Sequence, residues 1–189
     1  MINRTLPYFL EDRTGLYTDS DYDDIYDRLF LRVDRPKPTE SALTVYNTGR
    51  RSSSRRKSRP ISTQRNLGIV LEFGTHGALG KVTFVDAGIH VPMGQYLKKT
   101  SMFGGSLSRK FRASDGQEYR WMYRNSSEHE WCCMDCNECI VAHYDLKPPD
   151  KPVFSMSGNI LTVYEEYVGL AVEILASLII MRHIEAQKL

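Results

Sequence analysis

The longest apolar run of the chain lies near its C-terminus, at residues 168–181, and reads VGLAVEILASLIIM. Glu173 is its only charged residue, and apolar side chains occupy every side of the expected helix rather than one stripe. A helix of this kind is buried in a protein core or in a membrane. Because its fourteen residues fall short of the roughly 20 that span a bilayer, we predict a core helix enclosed by the rest of the chain.

The residues before this run mostly predict strands, because short stretches of alternating apolar and polar residues are bounded by glycine and proline. A chain of 189 residues fits one domain. We therefore expect a mainly β (α+β) fold, an antiparallel β-barrel closed around the hydrophobic C-terminal helix, as a single domain over residues 1–189. The strand candidates are residues 24–33, 42–47, 66–73, 80–85, 89–97, 128–133, 138–144 and 159–164.

One hairpin can be predicted in detail, because Asp115-Gly116 is a strong turn signal. A two-residue loop would place the apolar residues of the two arms on opposite faces. A three-residue loop, 114–116, places Phe111 opposite Tyr119 and both apolar sets on one face. Since the buried face decides the register, we predict the three-residue loop, with Gly116 in the left-handed conformation. This register also sets Arg112 opposite Glu118.

Charge is distributed unevenly, although the net charge is only +2. The segment Glu11–Asp27 is rich in acidic residues, whereas Gly49–Pro60 is strongly basic. This basic segment cannot bury enough apolar surface to fold by itself, so we predict a disordered loop between two strands. Its six basic residues are Arg50, Arg51, Arg55, Arg56, Lys57 and Arg59.

The basic segment predicts contact with an anionic surface, because each Lys or Arg near an anionic membrane contributes about 1 kcal/mol. It contains no aromatic residue, which argues against stacking on nucleic-acid bases. A nuclear import signal and a merely solvated loop are the alternatives. Phosphorylation of its serines would cancel positive charge and weaken anion binding.

A second cationic group brackets the glycine-containing turn at residues 102–106. In a barrel it could form a small site for a phosphate headgroup, with Gly104 and Gly105 allowing close approach. Ordinary surface cations are the alternative interpretation. The four residues of this group are Lys98, Lys99, Arg109 and Lys110.

Four cysteines lie within the short sequence CCMDCNEC, flanked by His129 and His143. Zinc sites usually use two ligand pairs that are far apart in the chain, and here there is a single cluster. We therefore predict buried thiols and a cysteine-rich turn, with no metal and no cofactor; a metal-binding or redox protein ranks last among the alternatives. The cysteines are Cys132, Cys133, Cys136 and Cys139.

The chain contains no zinc-protease, phosphate-loop, dinucleotide or nucleophile-elbow motif. We therefore expect a protein that is not an enzyme. The first residues show no basic segment followed by an apolar stretch. From this we expect a cytoplasmic location, with the nucleus or a membrane surface as alternatives.

The sequence RKFRASDGQEYRW at Arg109–Trp121 resembles an R-x-F-x-A-x-D-G-x-x-Y-x-W signature found in a family of uncharacterised fungal proteins. IVAHY at 140–144, GNILTV at 158–163 and the apolar C-terminal run extend the resemblance over most of the chain. That family is similar to the tubby C-terminal, LURP-one and scramblase group, which are antiparallel barrels around a hydrophobic helix. The resemblance implies no catalytic residues. The basic segment and the cysteine cluster depart from the family pattern.

Members of the wider group include phosphoinositide-binding and membrane-associated proteins. The resemblance and the basic residues together predict a non-enzymatic domain that binds anionic phospholipid peripherally. The alternative is a protein-interaction or regulatory module, in which the basic loop is a phosphorylation-switched docking element. Nucleic acid is not an expected partner.

Overall fold

A computed structural model describes residues 6–35, 41–51, 68–101, 107–124, 129–147 and 158–189. These residues form thirteen strands, two α-helices and two 3₁₀ segments, at Thr75–Gly77 and Glu165–Leu170. The helices are α1 (Met93–Tyr96) and α2 (Ala171–Gln187). The strands are β1 (Tyr8–Asp12), β2 (Ser20–Asp24), β3 (Phe30–Asp34), β4 (Ala42–Asn47), β5 (Ile69–Glu72), β6 (Lys81–Phe84), β7 (Ile89–Pro92), β8 (Lys98–Lys99), β9 (Arg109–Arg112), β10 (Glu118–Tyr123), β11 (Trp131–Met134), β12 (Ile140–Asp145) and β13 (Ile160–Val163).

All thirteen strands belong to one antiparallel sheet, in the order β7-β6-β5-β4-β3-β2-β1-β13-β12-β11-β10-β9-β8. Strands that follow one another in the chain are neighbours, except β7 and β8, and the first strand β1 pairs with the last strand β13. The edge strands β7 and β8 are linked by α1, but the described residues contain no pairing between these two strands. The prediction of a mainly β fold around a helix is therefore confirmed, whereas closure of the sheet into a barrel is not detected.

Helix α2 is the centre of the core, as the apolar run predicts. Its residues from Ile174 to Met181 are all at most 2% exposed. Parts of the chain that are distant in sequence make polar contacts along the whole length of the helix. Near its start the Glu173 carboxyl group accepts hydrogen bonds from the Tyr96 hydroxyl and the Ser114 backbone N–H, each at 2.9 Å. Such contacts satisfy a polar group that would be costly to bury without partners.

Further along α2, the Trp121 indole N–H donates to Ser177 Oγ at 2.9 Å. Near the end of the helix, Arg182 donates to the Gly15 carbonyl at 2.5 Å and His183 Nε2 lies 2.8 Å from the Gly77 carbonyl oxygen. These partners belong to strands or turns from both halves of the chain. The helix is therefore buried by contacts with both halves of the chain.

The helix is longer than the apolar run that predicts it. Together with the 3₁₀ segment, it gives one helical element, Glu165–Gln187, that is long and apolar enough to cross a membrane by length and composition alone. About two-thirds of its most apolar window is buried inside the fold (67%). A helix in a protein core can also be long and apolar enough to cross a membrane. The burial of this helix inside the fold is the state expected of a core helix.

The predicted hairpin is confirmed. Phe111 pairs with Tyr119 and Arg112 with Glu118, and the loop is closed by a hydrogen bond from the Gly116 N–H to the Ala113 carbonyl at 2.9 Å. Gly116 has φ +82°, the left-handed conformation that favours glycine. The ion pair of Glu118 is not with Arg112, the residue opposite it. Glu118 lies 3.2 Å from Lys110, which is diagonal to it across the two strands.

The N-terminal strands are where the sequence prediction is wrong. The candidate 24–33 is divided between β2 and β3 by a turn, and β1 was not predicted at all. The candidate 89–97 is a strand only as far as Pro92, after which α1 begins. The remaining candidates match strands: 42–47 is β4 without change, and the others differ at their ends or extend beyond the described residues.

Strands β1 and β2 were difficult to predict because their buried residues include carboxylates. Asp12, Asp23 and Asp24 are all at most 1% exposed. Each is balanced by an arginine elsewhere in the fold: Arg32 Nη1 lies 2.6 Å from Asp23, and Arg28 Nε lies 2.7 Å from Asp24. These three carboxylates of the acid-rich segment are therefore interior residues, whereas Asp19 and Asp27 of the same segment are exposed.

Asp12 is the centre of the largest of these polar groups. Its Oδ1 accepts hydrogen bonds from Ser20 Oγ at 2.5 Å and from the backbone N–H groups of Thr14 and Gly15. Its Oδ2 accepts from the hydroxyls of Tyr22 at 3.2 Å and Tyr144 at 2.9 Å. It joins β1 to β2 and β12.

The carboxylate of Asp12 also faces helix α2, because its Oδ2 lies 3.7 Å from Arg182 Nη1. The Arg182 guanidinium in turn stacks 4.7 Å from the centre of the Tyr144 ring. Burial, together with the neighbouring Asp12, raises the pKa of the Tyr22 hydroxyl, which therefore stays protonated and donates. One carboxylate thus ties three strands and the central helix together.

Candidate functional site

The second cationic group lies on strands β8 and β9, where Lys98 pairs with Lys110 and Lys99 pairs with Arg109. Residues directly opposite in an antiparallel pair share a face, and the faces alternate along each strand. The four cations are therefore divided between the two faces of the sheet. They do not converge on one headgroup position within the residues that the structure describes.

Arg109 lies on the inward face and is only 3% exposed. Its guanidinium donates to the carbonyl oxygens of Ser108 at 3.2 Å and Leu189 at 3.3 Å. Burial lowers its pKa from the ordinary arginine value. This arginine therefore holds Leu189 beside strand β9, and its own side chain is buried.

The outward face of the same edge is cationic. Lys98, Lys110 and Arg112 share it, with Lys110 in an ion pair with Glu118. Lys98 and Arg112 are exposed, and Lys99 is exposed as well because β8 is a two-residue edge strand. The glycine turn at 102–106 lies outside the described residues, so its predicted role stays a prediction.

The predicted basic loop lies mostly outside the described residues, since only 49–51 of this segment are described. Arg51 is bound to the protein itself: its Nε lies 2.6 Å from Asp27 Oδ1, and its Nη2 donates to the Asp24 carbonyl at 2.9 Å. The Arg50 carbonyl accepts from Arg32 at 3.0 Å. Arg51 is therefore held by the fold. Arg50 is exposed, so Arg50 and the four basic residues outside the described range remain candidates for binding an anionic partner.

The cysteine cluster divides as predicted into buried thiols and a turn. Cys132 and Cys133 are buried on opposite faces of β11, whereas Cys136 and Cys139 are exposed in the turn to β12. None of the four forms a disulfide bond. Burial raises the pKa of the Cys133 thiol well above its ordinary value, so this group is a packing residue rather than a reactive thiolate.

The two histidines beside the cysteines form a separate cluster with a carboxylate. His143 and Asp145 are two residues apart on β12 and so lie on one face, and His129 reaches the same face from just before β11. The imidazole rings of His129 and His143 are stacked, with their centres 3.8 Å apart. In the sequence these histidines flank the cysteines, and no motif there points to Asp145.

The carboxylate of Asp145 lies beside the stacked rings, with one oxygen near a nitrogen of each. His129 Nδ1 is 3.2 Å from Asp145 Oδ1, and His143 Nε2 is 3.9 Å from Asp145 Oδ2. Burial, and after it the charge of His129, lowers the pKa of His143 to about 4. His143 is therefore neutral at neutral pH, and its buried Nδ1 atom has no hydrogen-bond partner among the described residues.

These features define a mainly β domain whose surface carries a cationic edge and a histidine–aspartate cluster. The chain belongs to the family of unknown function DUF6593, whose model matches residues 35–186. The match includes α2 almost to its end and the Arg109–Trp121 motif on which the sequence resemblance rests. No curated protein and no solved structure matches the chain.

Proposed function

We propose that this chain is a non-enzymatic domain that binds anionic phospholipid at a cytoplasmic membrane surface. The observation that carries the proposal is the pair of adjacent exposed lysines, Lys98 and Lys99, on the edge strand β8, next to Lys110 and Arg112 on the outward face of β9. Phosphate groups attract such clusters of Lys and Arg. The uncharacterised family and the absence of enzyme motifs in the sequence are consistent with a binding role.

We further propose that the sheet is a barrel of the tubby, LURP-one and scramblase kind. Two features support this: the consecutive antiparallel order of the strands, and the contacts that α2 makes with both halves of the sheet. Because the apolar surface of α2 is used in packing against the sheet, membrane contact is electrostatic and peripheral in this proposal. Binding would then weaken at high salt, which screens exposed charges.

A protein-interaction role is the second candidate, and the edge strand β7 favours it. Ile89 in this strand is 51% exposed, and β7 pairs only with β6 among the described residues. An exposed sheet edge can accept an extended segment of a partner as an additional strand. In this alternative the serines of the basic segment would regulate docking through phosphorylation.

Vesicle co-sedimentation tests the lipid proposal. We expect the chain to bind vesicles containing phosphoinositide at low salt and to release them at high salt, with no binding to neutral vesicles. The double variant Lys98→Ala/Lys99→Ala should lose about 2 kcal/mol of binding free energy, roughly 30-fold in affinity. A variant lacking residues 52–60 measures the basic segment separately and leaves the contacts of Arg51 in place.

The matched control is the double variant Lys81→Ala/Lys147→Ala, which removes the same charge from positions away from β8. We expect it to bind almost as well as the wild type. Equal losses in the two double variants would show that only net charge matters and would refute the β8 site. Absence of binding to anionic vesicles at low salt would refute the lipid proposal and leave the protein-interaction role.

A further inference from the structure

The histidine–aspartate cluster beside the cysteines has the composition of a metal site. We propose that His129, His143 and Asp145 bind a divalent transition-metal ion of the zinc class. One nitrogen from each imidazole and one carboxylate oxygen all lie within 4.8 Å of one another. This assignment differs from the expectation of the sequence analysis, which considered only the cysteines and predicted no metal.

The distances in the cluster are close to those that a metal ion requires. Two ligand atoms bound at about 2.0–2.1 Å in tetrahedral geometry lie about 3.3 Å apart. The 3.2 Å between His129 Nδ1 and Asp145 Oδ1 has this length, and the 3.9 Å between His143 Nε2 and Asp145 Oδ2 is somewhat longer. A movement of one histidine side chain would therefore complete a three-ligand site.

The stacking of the two rings predicts what that movement is. A nitrogen lone pair lies in the plane of its imidazole, so two rings stacked with an interplanar angle of 26° do not aim at a common point. Metal binding must tilt at least one ring and break the stack. His129 is the freer of the two, because its side chain is 21% exposed whereas that of His143 is 12% exposed.

The ligand set determines which ions fit. Two imidazoles and one carboxylate suit zinc, cobalt, nickel or iron(II), whereas magnesium and calcium prefer oxygen ligands throughout. The partly exposed position leaves at least one coordination position open to water. Coordination through His143 Nδ1 instead of Nε2 would satisfy a buried ring nitrogen that has no hydrogen-bond partner among the described residues.

The structure keeps this cluster apart from the exposed cysteines. Cys136 and Cys139 lie in the turn between β11 and β12, whereas His129 and Asp145 lie at the other ends of these two strands. Cys132 pairs directly with His143 across the ladder and shares its face. It is the cysteine best placed to approach the ion, but the three-residue site does not require it.

Metal titration of the full chain tests the proposal. The protein is first treated with a chelator, dialysed, and titrated with zinc against a competing indicator dye. We expect one equivalent of zinc per chain and a rise in the thermal unfolding midpoint. Replacing one of the three ligands should lower the zinc affinity at least about tenfold. Replacing a residue that only orients a ligand already lowers metal affinity by about this factor. The variants are His129→Gln, His143→Gln and Asp145→Asn.

Two control variants locate the site. Cys136→Ser/Cys139→Ser removes the exposed thiols, and His90→Ala removes an exposed histidine on β7. Both should bind zinc as the wild type does. The proposal is wrong if zinc does not bind, if binding survives all three ligand variants, or if the double cysteine variant abolishes it.

A measurement on the unmodified chain covers the case in which a variant fails to fold. The ring nitrogens of His129 and His143 should shift in nitrogen-15 NMR when one equivalent of zinc is added, and those of His76 and His90 should not. Cobalt, used in place of zinc, should give the visible spectrum of nitrogen and oxygen ligation without a thiolate charge-transfer band. Unchanged His129 and His143 signals at saturating zinc would overturn the proposal.

Discussion

Replacement of Asp12 by alanine is expected to destabilise the fold by about 3–5 kcal/mol, because it removes one partner of a buried charged pair. The guanidinium of Arg182, 3.7 Å from Asp12 and 11% exposed, would lose its carboxylate. The buried hydroxyls of Ser20, Tyr22 and Tyr144 would lose their acceptor at the same time. Each buried donor left without an acceptor costs about 1–3 kcal/mol.

Urea unfolding followed by circular dichroism measures this loss. Asp12→Asn should cost less than Asp12→Ala, because an amide keeps one accepting oxygen while losing the charge. Asp86→Ala, an exposed acid in the turn between β6 and β7, is the matched control and should change stability by no more than about 0.5 kcal/mol. If Asp12→Ala proved as mild as the control, Asp12 would not hold β1, β2, β12 and α2 together.

Trp121→Ala should have an effect of similar size, about 3–5 kcal/mol, as expected for removal of a buried tryptophan. The side chain is fully buried on β10, and its indole N–H donates to Ser177 on the central helix. Truncation would leave a large cavity between sheet and helix. The Ser177 hydroxyl also donates to the Ile174 carbonyl at 2.9 Å, so it would keep one partner.

Two further variants separate packing from hydrogen bonding at this position. Trp121→Phe keeps most of the ring packing and should cost less than the alanine change. Met122→Ala, at the neighbouring position on the opposite face of β10, should also cost less, since that side chain is only partly buried. The same unfolding measurement applies. Equal losses for Trp121→Ala and Met122→Ala would contradict the assignment of the inward face of β10.

Much of the fold could be predicted because local chemistry and burial agree there. In the hairpin from β9 to β10, the turn signal and the alternation of Phe111 and Tyr119 permit only one register. The apolar run of α2 predicts a core helix, and the structure buries it. Its true ends are less apparent, because the last turns carry polar residues such as Arg182 and His183 that bind the surrounding loops.

The N-terminal strands could not be predicted because their interior positions are not apolar. The sequence SDYDD of β2 is typical of an exposed loop, yet most of it is buried. Its carboxylates are stabilised by arginines that follow at 28 and 32. No periodicity rule anticipates such pairing, since the compensating charges are visible only once the sheet has assembled.

The candidate sites, too, could be predicted only in part from the sequence. The sequence identifies the cations at 98, 99, 109 and 110, but only the strand register shows that Arg109 turns inward and that Arg112 shares the outward face. The histidine–aspartate cluster depends on the pairing of β11 with β12. The spacing of His143 and Asp145 on one strand was the available signal, and His129 could be added only from the structure.

Hydrogen–deuterium exchange of the backbone amides in plain buffer tests whether α2 is buried inside the protein in the absence of lipid. Because α2 is buried, we expect the amides at 174–181 to be among the slowest to exchange in the chain. Their opening free energies should be close to the free energy of global unfolding. Adding anionic vesicles should leave this protection unchanged. Rapid exchange of α2 in buffer, or protection that appears only when lipid is present, would contradict the account and indicate a helix that is completed by a membrane.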